Sequence, residues 1–432
     1  MIELHPNTEV DHSCPICNTD LPVEDWHIPG MRMVAELLCP ECDCRFFGDL
    51  PVGHGLVYPA LVHAETGEVY QEVENNWFAN WLEESYADRK HEQVPINKET
   101  EHDISKPIVL NCLDGLYGHS LLKLLNAQYY LDKKPNYDLI ILIPSNLKWL
   151  VPEGVAGVWS FDIPLSRARE WNDWISQEVK SFLKQFDQVW GSVAFSHPHP
   201  EDYDITRYTD IQSFPLDSWS EMTPTVTYIW RDDRLWAPSR HSSQTSKKAC
   251  GTIYWAAEKL GINLRKGKQR RNVVRLAKNL KSAFPRIEFT VAGLGQPGGL
   301  PDFITDARTT SFDNNTEQKL CDKYSESHVV IGIHGSNMLL PSAHAGSVVE
   351  LVPPKRWGNM TQDLLFGHGT GNRESIYSYR HVPRSTAPKE VAIIVRSLLE
   401  KRPQNTLHMA QKWTCHESID YKEHRSRWKQ VD

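Results

Sequence analysis

The sequence predicts an α/β protein: two doubly wound halves behind a small amino-terminal module. Three observations carry that expectation. From residue 107 onward, short apolar runs alternate with helical stripes, the pattern of βαβ units. Polar loops containing glycine follow two of those runs, at residues 113–120 and 334–337. Five of the nine cysteines are crowded into residues 14–44.

Composition narrows the class. The chain has 432 residues, 40% of them hydrophobic and 24% charged, which is ordinary for a globular protein with several domains. A net charge of −8 argues against a nucleic-acid coat or a polybasic membrane anchor. No apolar run reaches the ~18 residues of a membrane span. Residues 1–6 lack the basic-then-apolar pattern of a signal peptide, so the expected location is cytoplasmic, or peripheral at the inner face of a membrane. Fifteen tryptophans fit a large core better than an aromatic platform for carbohydrate.

The amino-terminal module is expected over residues 1–70. Cys14-Pro-Ile-Cys17 and Cys39-Pro-Glu-Cys42 are two CPxC knuckles. Each presents two thiolates on one side of a tight turn, and two such turns complete a tetrahedral sulfur site for zinc. Four protein ligands leave no open position, so this zinc-ribbon-like site is structural. Cys44, His12 and His27 lie close enough in sequence to replace one ligand. Strands are expected at Gly55–Val62 and Glu68–Val73. Residues 71–106 read as a helix with Trp77, Phe78, Trp81, Leu82 and Tyr86 on one face, then a polar linker containing Pro95.

The first half is expected over residues 107–222. Pro107–Asn111, Asp138–Ile143, Val155–Phe161 and Gln188–Phe195 read as strands, and Ser166–Phe186 as a helix. The loop from Leu113 to Ser120 joins strand to helix at the edge where α/β sheets bind ligands. Asp114 and His119 stand in it. Carboxylate and imidazole are the usual proton acceptors near neutral pH, so these two are the candidate general bases, Asp114 first. His197 and His199 fall in a proline-bounded loop read as solvated.

The second half is expected over residues 223–384. Thr225–Trp230 is a strand that runs into Arg231-Asp-Asp-Arg234; two arginines there suit a diphosphate, because guanidinium offers paired donors. Residues 237–250 read as a loop and Trp255–Leu260 as a short helix. Lys268–Phe284 reads as a longer helix with a basic face. Ile287–Ala292 is a strand, and Thr316–Tyr324 a helix with Asn315 and Gln318 as capping pair. Val329–Ile333 is a buried strand that turns at His334, Gly335, Ser336 and Asn337, followed by a short helix and a strand carrying Glu350. There is neither a phosphate-binding P-loop nor a dinucleotide fingerprint. The carboxyl-terminal part, residues 385–432, is a helix from Ala387 to Lys401 and a polar tail.

The segments Tyr228–Arg234, Val330–Leu340 and Gly346–Pro353 together resemble the donor-binding half of glycosyltransferase family 61, within the GT-B fold. The family pattern has a G-x-H-G-A-G-L-T-N loop and a later G-x-x-V-V-E-x-x-P segment. Here Ser336 replaces the alanine, and Asn337-Met338 stands in place of Gly-Leu. The resemblance covers the second half; the zinc module lies outside it. It implies two Rossmann-like halves facing a cleft, the first on the acceptor side and the second on the donor side. It further implies transfer of a sugar from a nucleotide-diphosphate donor to a hydroxyl of a polysaccharide, glycolipid or glycan acceptor, with inversion and without a catalytic metal. Arg231, Arg234, His334, Gly335, Ser336, Asn337 and Glu350 would then bind the donor, and Asp114 or His119 would deprotonate the acceptor. In GT-B proteins a carboxyl-terminal helix crosses back to the first half, and the loops Lys355–Gly358 and Gly367–Gly371 would close over the sugar. The competing readings are a zinc-ribbon interaction protein with a non-catalytic α/β body, and another nucleotide-sugar enzyme such as an epimerase or hydrolase.

Overall fold

The computed structural model describes residues 1–71, 73–74, 76–236, 264–311, 313–362, 364–365 and 372–409. The expected loop at 237–250, helix at Trp255–Leu260, loop at Gly367–Gly371 and the tail beyond 409 lie outside them. The fold class is α/β, and the chain divides into two compact units, Met1–Tyr208 and Thr209–Asp432. Among the described residues no helix is long and apolar enough to cross a membrane.

The first unit holds two sheets. In chain order its strands are β1 (Ile2–His5), β2 (Val23–His27), β3 (Val34–Leu38), β4 (Arg45–Asp49), β5 (Ala60–His63), β6 (Val69–Gln71), β7 (Ile96–Thr100), β8 (Pro107–Asn111), β9 (Asp138–Pro144), β10 (Gly157–Phe161) and β11 (Val189–Gly191). Strands β2 to β6 form an antiparallel meander. The larger sheet has the order β1-β11-β8-β9-β10-β7. Its four inner strands are parallel and its two edges antiparallel. Read along the inner strands, the order is third, second, first, fourth, so the strand order reverses between β8 and β11.

Three sequence expectations change here. Residues 2–5, placed in the module, are an edge strand of the larger sheet, and residues 96–100, read as linker, are its other edge. The helix expected from 166 starts at Asp173, because the Asn172 side chain accepts from the backbone N–H groups of Trp174 and Ile175 and caps it there. The cysteine-bearing module also shares a core with the larger sheet: Cys14, Trp26, Ile28, Leu37, Cys39 and Phe46 are buried with Val109, Ile140, Trp159 and Val179. The helix Trp77–Ala87 packs on the meander, with Leu82 and Tyr86 buried beside Phe47 and Trp171.

The second unit is built on one parallel sheet. Its strands are β12 (Thr225–Arg231), β13 (Glu288–Leu294), β14 (Ile304–Thr309), β15 (Val329–Ile333), β16 (Val348–Val352) and β17 (Tyr379–Pro383). They lie in the order β14-β13-β12-β15-β16-β17, every pair parallel. This is the doubly wound order of a dinucleotide-type sheet, with its switch point between β12 and β15. Phe214 and Trp219, ahead of the start expected at 223, are buried in this unit's core. So are Val391, Val395 and Leu398 of the helix Pro388–Met409, which packs on its own unit's core and on the helix Leu264–Ala283. The helix at 314–325 is capped by Asp313, whose side chain accepts from the Thr316 N–H, and not by the expected Asn315–Gln318 pair.

Candidate functional site

The carboxyl ends of β12 and β15 meet at the switch point of the second unit. Both strands are buried on two faces along their middles, so charged residues begin only where the sheet ends. Arg231 closes β12 and His334 follows β15. The Arg231 guanidinium donates to both carboxylate oxygens of Asp233, at 2.7 and 2.5 Å, and to the Asn337 side-chain oxygen at 3.3 Å. Arg234 donates to the His334 carbonyl at 2.8 Å. That approach requires Gly335: its φ is +142°, and an added Cβ would lie 1.7 Å from Arg234 Nη1. Ser336 then opens a 3₁₀ turn through Met338.

A cavity of about 390 Å³ adjoins this turn, lined by Arg234, His334, Pro353, Pro354, Lys355, Arg356 and Arg384. Four of the seven are cationic side chains, and none is a carboxylate. Arg384 is half-buried, and burial pushes its pKa down. The chemistry of this lining suits an anion of more than one charge.

Glu350, expected to meet the donor, makes its contacts here with side chains of the same sheet and its following turn. It is fully buried. One oxygen lies 3.1 Å from His334 Nδ1; the other lies 3.3 Å from His381 Nε2 and accepts from the Tyr379 hydroxyl at 3.1 Å. Burial alone pushes this carboxyl up, but the His334 and His381 contacts outweigh it and leave the pKa below the ordinary value. Glu350 therefore braces His334 from inside the sheet. Tyr379 and His381 escaped the sequence reading because β17 itself was not recognised.

The corresponding switch point of the first unit carries the second cluster. Asn111 accepts from the Leu113 N–H and Asp114 from the Leu116 N–H, which turns the chain from β8 into the helix Tyr117–Leu124. That helix presents His119 and Lys123 one turn apart on the side facing Asp114. Asp114 is fully buried; its Oδ1 lies 3.3 Å from His119 Nδ1 and its Oδ2 2.9 Å from Lys123 Nζ. Burial opposes the charge, yet Lys123 and His119 hold this carboxyl well below its usual range. A buried carboxylate ion-paired in this way is poorly placed to take a proton from a substrate; His119, about a fifth exposed, is the member that reaches solvent.

His54 completes this cluster, and sequence reasoning missed it. The turn Gly53–Leu56 is tied to the chain after β11 by a 2.7 Å bond from the Gly53 N–H to the Val193 carbonyl. It delivers His54 Nε2 to within 3.3 Å of His119 Nδ1. The one available signal was a histidine between two glycines. His197, on the loop after β11, is exposed.

The four knuckle cysteines converge. Their ligand atoms lie within 4.8 Å of one another, with Sγ separations of 3.6, 3.4 and 3.9 Å for the pairs 14–42, 17–39 and 17–42. A tetrahedron with Zn–S bonds of ~2.3 Å has edges of about 3.8 Å, so the set fits a metal ion such as zinc. Asn18 and Asp43, each just after its knuckle, adopt φ of 64° and 56°, the left-handed turn that Asn and Asp tolerate best. Cys44, His12 and His27 stand outside the set; His12 contacts the Asp49 carbonyl and His27 contacts Glu36. A cation there would supply the staple joining the two knuckles.

No protein-family model and no curated protein matches this chain. Among solved structures, it is similar to a Listeria monocytogenes protein assigned as a UDP-N-acetylglucosamine 2-epimerase, with a TM-score of 0.35 and 10% identity over 72% of this chain and 91% of that one. It is also similar to an E. coli structure described as trehalose-6-phosphate bound with UDP-2-fluoro glucose. That match has a TM-score of 0.24 and 10% identity, over 72% of this chain and 69% of that one.

Proposed function

We propose that this protein is a glycosyltransferase that moves a sugar from a nucleotide-diphosphate donor to an acceptor hydroxyl. The observation that supports it most is the cationic cavity at the switch point of the second unit, where Arg234, Lys355, Arg356 and Arg384 converge beside the His334–Asn337 turn. In sheets of this order ligands bind at that crevice. A leaving diphosphate carries charge that arginine, lysine and the turn's N–H groups would stabilise in place of a metal ion. Arg231 would exchange its contact with Asp233 for the donor. His334, braced by Glu350, would contact the diphosphate or the sugar.

In the reaction, the acceptor oxygen bonds to the anomeric carbon from the face opposite the diphosphate. The bond from that carbon to the diphosphate oxygen breaks, and its electron pair leaves with the diphosphate. The hydroxyl proton passes to a general base, for which His119 and, buried behind it, Asp114 are the candidates. The resemblance to family 61 points to a polysaccharide, glycolipid or glycan as acceptor.

The test is product analysis. The full chain is incubated with UDP-, GDP-, CDP- and dTDP-sugars, with and without a panel of glycan acceptors, and the products are resolved by mass spectrometry. Nucleoside diphosphate release that rises with acceptor, together with a glycosylated acceptor, supports transfer. An isomerised donor or acceptor-independent free sugar overturns it in favour of an epimerase or hydrolase.

A further inference from the structure

We propose that His54, Asp114 and His119 form a second metal site, a three-ligand centre for a divalent first-row cation, zinc foremost. The three come from separate elements: the turn Gly53–Leu56, the loop after β8 and the helix Tyr117–Leu124. Their ligand atoms all lie within 4.8 Å of one another.

The separations match a cation better than hydrogen bonds. His119 Nδ1 is 3.3 Å from Asp114 Oδ1 and 3.3 Å from His54 Nε2. Hydrogen bonds from a ring N–H to such partners close to about 2.9–3.0 Å. One ring nitrogen also carries at most one proton, so Nδ1 satisfies one partner as a donor and leaves the other facing it without a good bond. A tetrahedral ion with bonds of ~2.05 Å to nitrogen and oxygen sets its ligand atoms about 3.3 Å apart. One cation would satisfy all three atoms at once.

The surroundings fit the same assignment. Lys123 donates to the Leu113 carbonyl and sits 2.9 Å from Asp114 Oδ2, so the outer oxygen is held while Oδ1 points at His119. Ligating carboxylates are commonly oriented by such outer partners, and the Asp114 charge offsets the Lys123 charge. His54 packs against Trp77 and Phe78 at ring-centroid distances of 5.0 and 5.6 Å, which fixes its plane.

Two imidazoles and one carboxylate leave a coordination position open, in contrast to the closed set of four cysteines. His119 is the exposed edge through which a ligand would enter. A cation lowers the pKa of a hydroxyl or water bound to it. The site stands on the geometry alone and does not depend on the transfer reading; with a cation held there, Asp114 Oδ1 and His119 Nδ1 would serve as its ligands in place of their role as proton acceptors.

The experiment counts metal. The full chain is produced in medium containing zinc, manganese, iron and cobalt, desalted, and analysed by inductively coupled plasma mass spectrometry. The native chain is expected to hold about two equivalents, and His54→Gln and His119→Gln about one each. The equivalent remaining on the cysteines reports that the first unit has folded, because Cys14 and Cys39 belong to its core. A native chain holding a single equivalent overturns the site whatever the variants do. Folded variants that keep the native content overturn it too. Neither result depends on a nucleotide or a glycan, so failure here is distinct from failure of the transfer reading.

Discussion

Arg234 donates a 2.8 Å hydrogen bond to the carbonyl oxygen of His334, a residue one hundred positions further along the chain. The bond ties the end of β12 to the end of β15 at the point where the strand order reverses. It exists because position 335 has no side chain. Gly335→Ala places a Cβ on the guanidinium and forces a backbone at φ +142° that alanine avoids. We expect a loss of about 1–3 kcal/mol in stability. Affinity for a nucleoside diphosphate should fall at least about tenfold, as suits a displaced charged donor. Denaturant titration and calorimetry on the same variant check both; unchanged affinity would show that Arg234 does not serve the ligand.

The cysteine knuckles are predicted to hold the first unit together. Cys14 and Cys39 are buried in the core that also contains Val109 and Ile140 of the larger sheet. Cys42→Ser should lose one metal equivalent and unfold the first unit at room temperature, since structural zinc contributes on the order of 10 kcal/mol. The second unit, with a core of its own, should keep its protection in limited proteolysis. A variant whose first unit keeps native protease resistance would contradict this.

A buried ion pair makes the meander sensitive to one carboxylate. Arg32 Nη1 contacts both oxygens of Asp49, at 2.6 and 2.7 Å, and its guanidinium lies over the Phe78 ring at 3.6 Å. Asp49→Asn leaves the guanidinium buried without its counter-charge, at a cost of about 3–5 kcal/mol. The urea midpoint of the first unit reads it. A change below about 1 kcal/mol would mean that water reaches Arg32.

The second unit should lose stability in mild acid through His328. This ring is buried between Phe214 and Trp219. Its Nδ1 accepts from the Thr225 N–H at 3.2 Å, so the proton is on Nε2, 3.0 Å from the Trp219 carbonyl. Burial lowers its pKa below 6.5, partly opposed by the bond to the Trp219 carbonyl. Below that pH the unfolded chain takes up a proton that the folded ring resists, so the unfolded state binds more protons. Stability is therefore full above the ordinary imidazole value and falls as the pH drops through it toward the lowered one. Urea midpoints between about pH 8 and pH 5 should show a smaller slope in His328→Gln than in the native chain. Equal slopes would assign the acid sensitivity to other groups.

The inner strands of both large sheets were legible in the sequence, and the edges were not. Ile331 and Ile141 sit in runs covered on two faces, which read as unbroken apolar segments. The edge strands β1, β7, β14 and β17 carry residues such as Lys98, Glu99, Asp306, Arg308 and Arg380, because an edge is half solvated and avoids apolar exposure. The same asymmetry governs the sites. Arg231 closes an inner strand, His334 directly follows one and Asp114 stands in the loop after one, and all three were found. Tyr379 and His381 belong to an edge strand, Arg384 just follows it, and His54 arrives from a turn 60 residues before Asp114; none was. The roles of Asp114 and Glu350 required burial and pairing, which spacing alone does not carry.

The most direct test of the central claim is calorimetric titration of the full chain with UDP, GDP, CDP and dTDP. One nucleoside diphosphate should bind, and Arg384→Ala and Arg231→Ala should each weaken it at least about tenfold, the loss expected for one charge-assisted contact. Absence of binding by all four, or affinity unchanged in both variants, would contradict a donor site at the switch point of the second unit.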